Sequence, residues 1–374
     1  MNRGEKSYIW QRADWPRWVY DLRHLSQLLA RVHQAQGHLL GRMRDLGTDQ
    51  CDQATLRVLT EDVIKTSEIE GEKLDPASVR SSIARRLGVD IGALAASVRY
   101  ADGVVDMVLD ATQRHQQRLT IDRLFSWHAA LFPTGYSGLS KIRVGTWRDD
   151  AQGPMQMVSG PLHRQIVHFE APPAASLDSQ VADFLNWFEA DQQDDLLIKA
   201  GLAHLWFVTL HPFDDGNGRI ARAIGDMVLA RGENSAQRFF SLSAQIQRER
   251  NDYYDLLEKT QKGTLDVTEW LDWFLGCLLR AIANAHLTLS AVLIKASFWN
   301  RWAGTTMNDR QIKMINKLLD GFDGKLTTSK WAVIGKCSQD SALRDITDLL
   351  EKGVLKKSAA SGRSTAYELI YPFE

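Results

Sequence analysis

Cysteine is scarce: Cys51, Cys277 and Cys337 are the only three in 374 residues, widely separated and without a CxxC pair. They are expected to be reduced, packed thiols, the usage of a reducing compartment. Proline is scarce too, nine in all, so few positions forbid a helix. Charge of one sign is missing: 45 Lys and Arg against 46 Asp and Glu leave a net −1. No global field therefore draws the chain onto nucleic acid or an anionic membrane. The most apolar stretch, residues 270–299, is interrupted by Asp272, Arg280, His286 and Lys295, which argues against a membrane span. Residues 1–6 contain no apolar core, so no signal peptide is expected. Internal repeats and low-complexity segments are missing as well. What remains is a soluble, cytoplasmic, mainly α protein with length for two or three domains.

Amphipathic patterns dominate what is there. An aromatic opening, Tyr8-Ile-Trp-Gln then Asp14-Trp-Pro-Arg-Trp, should run extended, with Pro16 in the first turn of a helix and the tryptophans packed on the core. Leu22, Leu25, Leu28, Leu29 and Val32 recur at helical spacing until Gly47. A second helix, expected over about 52–71, ends in Thr66-Ser-Glu-Ile-Glu70-Gly71. Carboxylates there oppose the helix dipole, so Glu70 should seek a cation. Helices follow over 76–87, 93–109 and 121–131, the last carrying His128 as a core histidine. Over 145–173 the texture changes: Gly145-Thr-Trp-Arg148, Gln156-Met157-Val158-Ser159-Gly160 and Gln165-Ile-Val-His-Phe-Glu170 are broken by Gly and Pro. Such short β runs predict a hairpin, a flap able to offer backbone to an extended peptide.

Helices resume over 177–188 and 196–210, the second with Ile198, Leu202, Leu205 and Val208 inward. Beyond a short loop, Ile220, Ile224, Met227 and Val228 mark a buried helix from about Gly218. More helix is expected from Arg248 to near Gly263 and over 267–298. From about residue 305 a separate unit reads as three helices (312–319, 328–335, 338–351) and a hairpin of 354–357 with 365–370, the outline of a winged helix. The expected domains are an N-terminal helical module 1–90, a helical core 91–265, a connecting helix or helix pair 266–304, and the winged-helix-like unit 305–374.

The loop between the two buried helices, residues 211–222, reads His-Pro-Phe-Asp-Asp-Gly-Asn-Gly-Arg-Ile-Ala-Arg. Gly216-Asn217-Gly218 permits backbone angles that converge N–H groups into an anion nest, and the nest opens a helix N-terminus, which favours phosphate. Arg219 and Arg222, three apart on one helix face, suit separate phosphates of one chain. Asp215 is placed to bind a divalent ion bridging those phosphates. His211, ending the preceding helix, is the natural general base. Phe213 should pack inward and fix the loop.

The full pattern, H-x-F-x-D-G-N-G-R-x-x-R, resembles the signature of the Fic (Fido-domain) family, with every fixed position present. The resemblance spans about residues 60–265 and implies an all-helical core with a β-hairpin flap. It implies transfer of AMP from ATP to a Ser, Thr or Tyr hydroxyl of a target protein, the chain itself included, with release of pyrophosphate. Carried over, His211 deprotonates the hydroxyl and Asp215 holds Mg2+ (or Mn2+). Asn217 and Gly218 line the α-phosphate pocket, and Arg219 and Arg222 hold the β- and γ-phosphates. Gly216, Ile220 and Ala221 complete the ATP-binding segment. Met157, Val158, Ser159 and Gly160 match the target-positioning flap, and Tyr253, Tyr254 and Gln261 fall where the nucleoside is contacted. Thr66-x-x-x-Glu70-Gly71 resembles the family's inhibitory motif, in the class that carries it before the core. Its implied role is a Glu70–Arg222 pair that takes the γ-phosphate's partner. Family members with this glutamate also remove AMP. The aromatic opening resembles the uncharacterised module found ahead of some Fic cores.

From residue 305 on, 11 Lys and Arg face 9 Asp and Glu, and the third helix offers only Arg344 among Asp340, Asp345 and Asp348. DNA readout needs several cations, so protein docking or a homodimer is at least as well supported as DNA binding. Rival functions are a nucleotide-sensing regulator acting through this unit, another donor (UTP, GTP, CDP-choline), or phosphate transfer of the Doc type. Gly218 and both arginines speak against the last, and an intact His211 against a dead enzyme. Within the leading function, Glu70→Gly should raise AMP transfer and His211→Ala should abolish it.

Overall fold

Several helix starts in this chain lie where capping side chains stand. Asp75, Thr120 and Asp195 each accept a backbone N–H at the start of a helix, which satisfies donors that the first turn leaves orphaned. The computed structural model describes residues 8–44, 47–91, 99–160, 164–190, 194–319, 322, 324–358 and 365–371. The chain divides into two compact units, Met1–Ala285 and His286–Glu374. The first opens with a 3₁₀ turn, Ile9–Gln11, then α1 (Leu22–Arg44), α2 (Thr48–Ile69), α3 (Pro76–Leu87), α4 (Arg99–Gln113) and α5 (Ile121–Leu131). Two hairpins follow, β1 (Tyr136–Ser137) with β2 (Ser140–Lys141) and β3 (Gln156–Ser159) with β4 (Ile166–Glu170). Then come α6 (Leu177–Glu189), α7 (Leu196–Leu210), α8 (Asn217–Glu233), α9 (Leu242–Arg248), α10 (Arg250–Gln261) and α11 (Thr268–Arg301), whose second half belongs to the other unit. Among the described residues no helix is long and apolar enough to cross a membrane.

α7 is the centre of the first unit. Every residue from Leu197 to Leu210 is buried, which is why it lacks a polar face. α8, with Ile220, Ile224, Met227 and Val228 at or near zero exposure, packs along it. Trp270 of α11 donates to the carbonyl of Gly201 at 2.9 Å. Behind α8, the buried guanidinium of Arg238 binds both Asp226 and Glu233 at 3.0 Å. Gln36 of α1 donates to Glu233 at 2.7 Å, and Asp62 of α2 accepts from Ser241 at 2.5 Å. Burial, with Asp62 close by, pushes the Asp226 carboxyl well above the usual range. This polar cluster ties α1 and α2 to the back of α8.

Several expectations shift by a few residues or fail. The helix expected to begin at Pro16 begins at Leu22, because Trp15 and Trp18 pack edge-on against Trp206 and Val19 pairs with Asp266. Residues 145–148 form a loop, not a β run: Trp147 packs on Phe125 and Phe213 at 4.5 and 5.0 Å. The helix expected from 248 to near 263 is α10, and a separate short helix, α9, that was not expected precedes it; the two part at Glu249, whose carboxylate is held by Arg280 at 2.6 Å. The expected start at Ala93 and the Ser/Gly/Arg turn at 359–364 lie outside the described residues.

The second unit adds α12 (Asp309–Leu319), α13 (Thr328–Gly335) and α14 (Gln339–Glu351), then β5 (Leu355–Lys357) paired antiparallel with β6 (Tyr367–Leu369). Phe298 of α11 sits in its core with Trp331, Ile346 and Leu349. Leu326 bridges to Tyr367 beside the hairpin. Three helices and a two-stranded hairpin follow in the expected order. Asp345 is buried under Arg310 at 2.9 Å, so its charge is spent inside the unit.

Candidate functional site

The site begins where α7 stops. His211 is in the left-handed region (φ 48°) and closes the helix through its N–H to the carbonyl of Phe207 at 3.1 Å. A bulky residue held there costs about 1–2 kcal/mol, and the surroundings pin it. Arg148, itself buried, donates from Nε to the His211 carbonyl at 2.8 Å and from its backbone N–H to the Pro212 carbonyl at 2.9 Å. Its other nitrogens go to Asp150 at 2.9 Å and the Pro172 carbonyl at 2.5 Å. The His211 Nδ1 lies 3.2 Å from the Val208 carbonyl. A carbonyl only accepts, so Nδ1 carries the proton and Nε2 is the bare, basic nitrogen. Burial lowers the imidazole to about 4, with Arg148 acting in the same direction, so His211 is neutral at physiological pH.

Asn217 fixes the turn from inside. Its amide oxygen accepts from Phe213 N–H at 3.0 Å, and its amide nitrogen donates to the Phe213 carbonyl at 2.8 Å. The side chain is thus spent on the loop. Phe213 stacks on His128, centroids 4.2 Å apart, and His128 accepts from Gly145 N–H at 3.1 Å. His128 is the core histidine expected, pushed down to about 4 by burial. Gly216, at φ 82°, precedes the first residue of α8, a conformation that a side chain disfavours. Asp215 accepts from Gly216 N–H at 2.5 Å and pairs with Ser137, and its carboxylate is 40% exposed. Ile220 and Ala221 face the core.

The first two arginines of α8, Arg219 and Arg222, are buried and both meet acids at the end of α2. Arg222 donates to Thr66 Oγ1 at 2.7 Å, to the Thr66 carbonyl at 2.9 Å and to Glu70 Oε1 at 2.6 Å. Glu70 lies over Gly218: a Cβ there would overlap its Oε1. The carboxylate therefore stands at the positive end of α8. Arg219 binds Glu72 at 2.9 Å, pairs with Tyr100, and lies 5.1 Å over the Phe132 ring. Arg222 Nη1 and Arg219 Nε are buried without a hydrogen-bond partner among the described residues, open donors that an anion would satisfy. α2 itself ends at Ile69, with the chain turning at Gly71 (φ 84°), and the Ile69 carbonyl accepts from Arg250 at 3.0 Å and Tyr254 at 3.4 Å.

A cavity of about 560 Å³ joins these groups, lined by His211, Gly218, Glu70, Tyr253, Tyr254 and Gln261 and, across from them, Met157, Val158 and Ser159 of the flap. Tyr253 is buried and bonded to His204 at 3.0 Å, and Gln261 donates to Thr209 at 3.2 Å. Gly160 turns the hairpin at φ 91°. Glu72, Tyr100, Arg148 and Arg250 were not singled out from the sequence as site residues. Only Arg148 had a signal, its place in the Gly145–Arg148 run.

The arrangement brings together a pinned neutral imidazole, a helix N-terminus and two buried arginines. Residues 118–229 match the family model described as Fic/DOC family, and residues 8–89 one described as a domain of unknown function, DUF4172. Residues 118–229 thus form a Fic/DOC family domain. The chain is 27% identical over 103 residues to a probable protein adenylyltransferase of Aquifex aeolicus, covering 28% of this chain and 30% of that one. It is 29% identical over 130 residues to a uridine 5′-monophosphate transferase of Xanthomonas campestris, covering 30% and 21%. The chain thus spans less than a third of the length of the curated relatives it matches. A Fic family protein from Desulfovibrio desulfuricans has a similar fold, with a TM-score of 0.53, 18% identity, and 92% and 96% of the two chains covered.

Proposed function

We propose that this chain is a protein nucleotidyltransferase that moves AMP from ATP to a Ser, Thr or Tyr hydroxyl and is held off by its own α2. The observation that carries this is the contact of Glu70 with both Arg222 and the Gly218 edge of the α8 N-terminus. In this reading the triphosphate lies along the start of α8, its phosphates received by the backbone after Gly216 and by Arg219 and Arg222. The bare Nε2 of His211 takes the proton of the attacking hydroxyl. Mg2+ takes one or two carboxylates and otherwise phosphate oxygens and water. The half-exposed Asp215 fits that donor set, and the ion would neutralise phosphate charge there. Tyr253, Tyr254 and Gln261 bound the nucleoside end, and Met157 to Gly160 receive the acceptor peptide. With Glu70 in place, Arg222 is occupied and the phosphates sit unproductively.

The test is intact-mass and peptide analysis of wild type, Glu70→Gly and Glu70→Gly/His211→Ala with ATP and Mg2+, lysate proteins serving as acceptors. AMP label on the lysate proteins should appear with Glu70→Gly and vanish with the added His211→Ala. A Glu70→Gly protein that labels nothing refutes the proposal. UMP as the transferred group is a second reading, favoured by the Xanthomonas relative, and competition between UTP and ATP in the same assay decides it.

A further inference from the structure

The flap carries a hydrogen-bonded relay whose acid–base chemistry the mechanism above does not use. His168 of β4 has both ring nitrogens engaged: Nε2 lies 2.6 Å from Ser159 Oγ on β3, and Nδ1 lies 2.6 Å from Glu258 Oε2 on α10. An ionised carboxylate only accepts, so Nδ1 holds the proton and Nε2 is free to accept from the serine hydroxyl. Although burial works the other way, Lys262 and His168 together hold the Glu258 carboxyl below its ordinary range. The acid of the relay is thus ionised at neutral pH.

The backbone creates this alignment. Gln156 pairs with Glu170 and Met157 with Phe169, but Val158 then pairs with Val167, so His168 is skipped. In an unbroken ladder His168 would stand opposite Val158. A bulge of this kind re-aims a side chain and recurs beside active sites. Here it leaves the His168 ring between Ser159 and Glu258. All three line the same cavity as His211 and Gly218.

A nucleophile, a base within hydrogen-bond reach and a group orienting that base form the arrangement that activates a hydroxyl. We propose that Ser159 is a self-modification site, with His168 as its own base and Glu258 as the orienting group. Its acceptor chemistry is attack on the α-phosphorus of a nucleoside triphosphate in this cavity, so the proposal rests on the nucleotidyltransferase reading. Ser159 Oγ forms the bond to the α-phosphorus. The bond from that phosphorus to the oxygen bridging the β-phosphate breaks, and pyrophosphate leaves with the electron pair. The hydroxyl proton passes to His168 Nε2, and the imidazolium rests against Glu258 until water takes the proton. The product is a nucleotide phosphodiester on the flap, lying in the cavity that the acceptor peptide would face.

A mere latch of the hairpin to α10 is the alternative role for these contacts, and the variants separate it from catalysis. Full-length Glu70→Gly, alone and with Ser159→Ala, Ser159→Thr or His168→Asn, is incubated with ATP, Mg2+ and lysate proteins, and labelled peptides are mapped by mass spectrometry. The label is expected on the Ser159 peptide, retained by Ser159→Thr and lost with Ser159→Ala. His168→Asn should lower Ser159 labelling by about 100-fold, the scale of a positioned base, while labelling of lysate proteins changes by less than about threefold. Label on other hydroxyls but none on Ser159 overturns the proposal and leaves the nucleotidyltransferase reading standing. An equal loss at Ser159 and on lysate proteins reduces His168 to a latch and overturns the base role. No label on any protein sinks the nucleotidyltransferase reading, and this proposal with it.

Discussion

Glu70 and Gly218 compete for one space. A side-chain carbon on Gly218 would overlap the Glu70 carboxylate and come within 3.2 Å of Arg222 Nη1. Gly218→Ala should therefore displace Glu70 and cost about 1–3 kcal/mol, the range of overpacking. In a Glu70→Gly background that cost should nearly vanish. Urea unfolding of the four proteins of this cycle should show a coupling above about 1 kcal/mol. Additive costs would refute the shared space.

Glu72 is a second acid on a second arginine. Arg219 is buried, and its Nη1 is held by Glu72 and Tyr100. Burial raises the Glu72 carboxyl, Arg219 opposing, so part of the pairing energy is already offset. Glu72→Gln should lower stability by about 1 kcal/mol, within the range for a partly buried pair, and should tighten ATP binding several-fold by releasing Arg219. Weaker binding by calorimetry would argue that Arg219 does not meet the phosphates.

Arg148 holds the carbonyls on both sides of the His211–Pro212 bond. Arg148→Met keeps the apolar stem and loses the fork. Transfer to protein acceptors is expected to fall by about 100-fold, as a small misplacement of a reacting group does, with ATP affinity within about threefold. Lysine should not rescue it, having no planar fork. A kinetic comparison in the Glu70→Gly background checks both points.

Three histidines, His128 and His204 in the core and His211 at the cavity wall, make the fold sensitive to acid. Burial pushes His128 down to about 4, His204 to about 3 and His211 to about 4. From pH 6.5 down to about 4 the unfolded chain takes up protons that the folded chain refuses. Stability is full above 6.5 and falls through that window, by up to about 3 kcal/mol for a fully buried imidazole shifted this far. The urea midpoint should drop steeply between pH 6.5 and 4, and His128→Asn should flatten the slope. A midpoint independent of pH there would contradict the burial of these rings.

Local signals made the scaffold legible. Helices at 76–87, 121–131 and 196–210 are found where the sequence places them, because Asp75, Thr120 and Asp195 cap them. The loop from His211 to Arg222 was legible because its chemistry lies within one turn. Arg148 and Glu72 were not: they reach their partners across 63 and 147 positions, and no local pattern names those partners. Pro16 misled because Trp206 holds Trp15 and Trp18 in place of a helix start. The bulge at His168 left no trace in an alternating run.

The N-terminal turn bears on the direction from which a peptide can reach the flap. Tyr8 packs edge-on against Phe169, Trp10 donates to the Glu170 carbonyl at 2.7 Å, and His168 is tied to α10. These contacts close the outer edge of β4. β3, with Gln156, Val158 and Ser159 exposed, has no such cover among the described residues. On the proposed function, an incoming strand registers on the β3 side, and the residues that would restrict its side chains are those of β3.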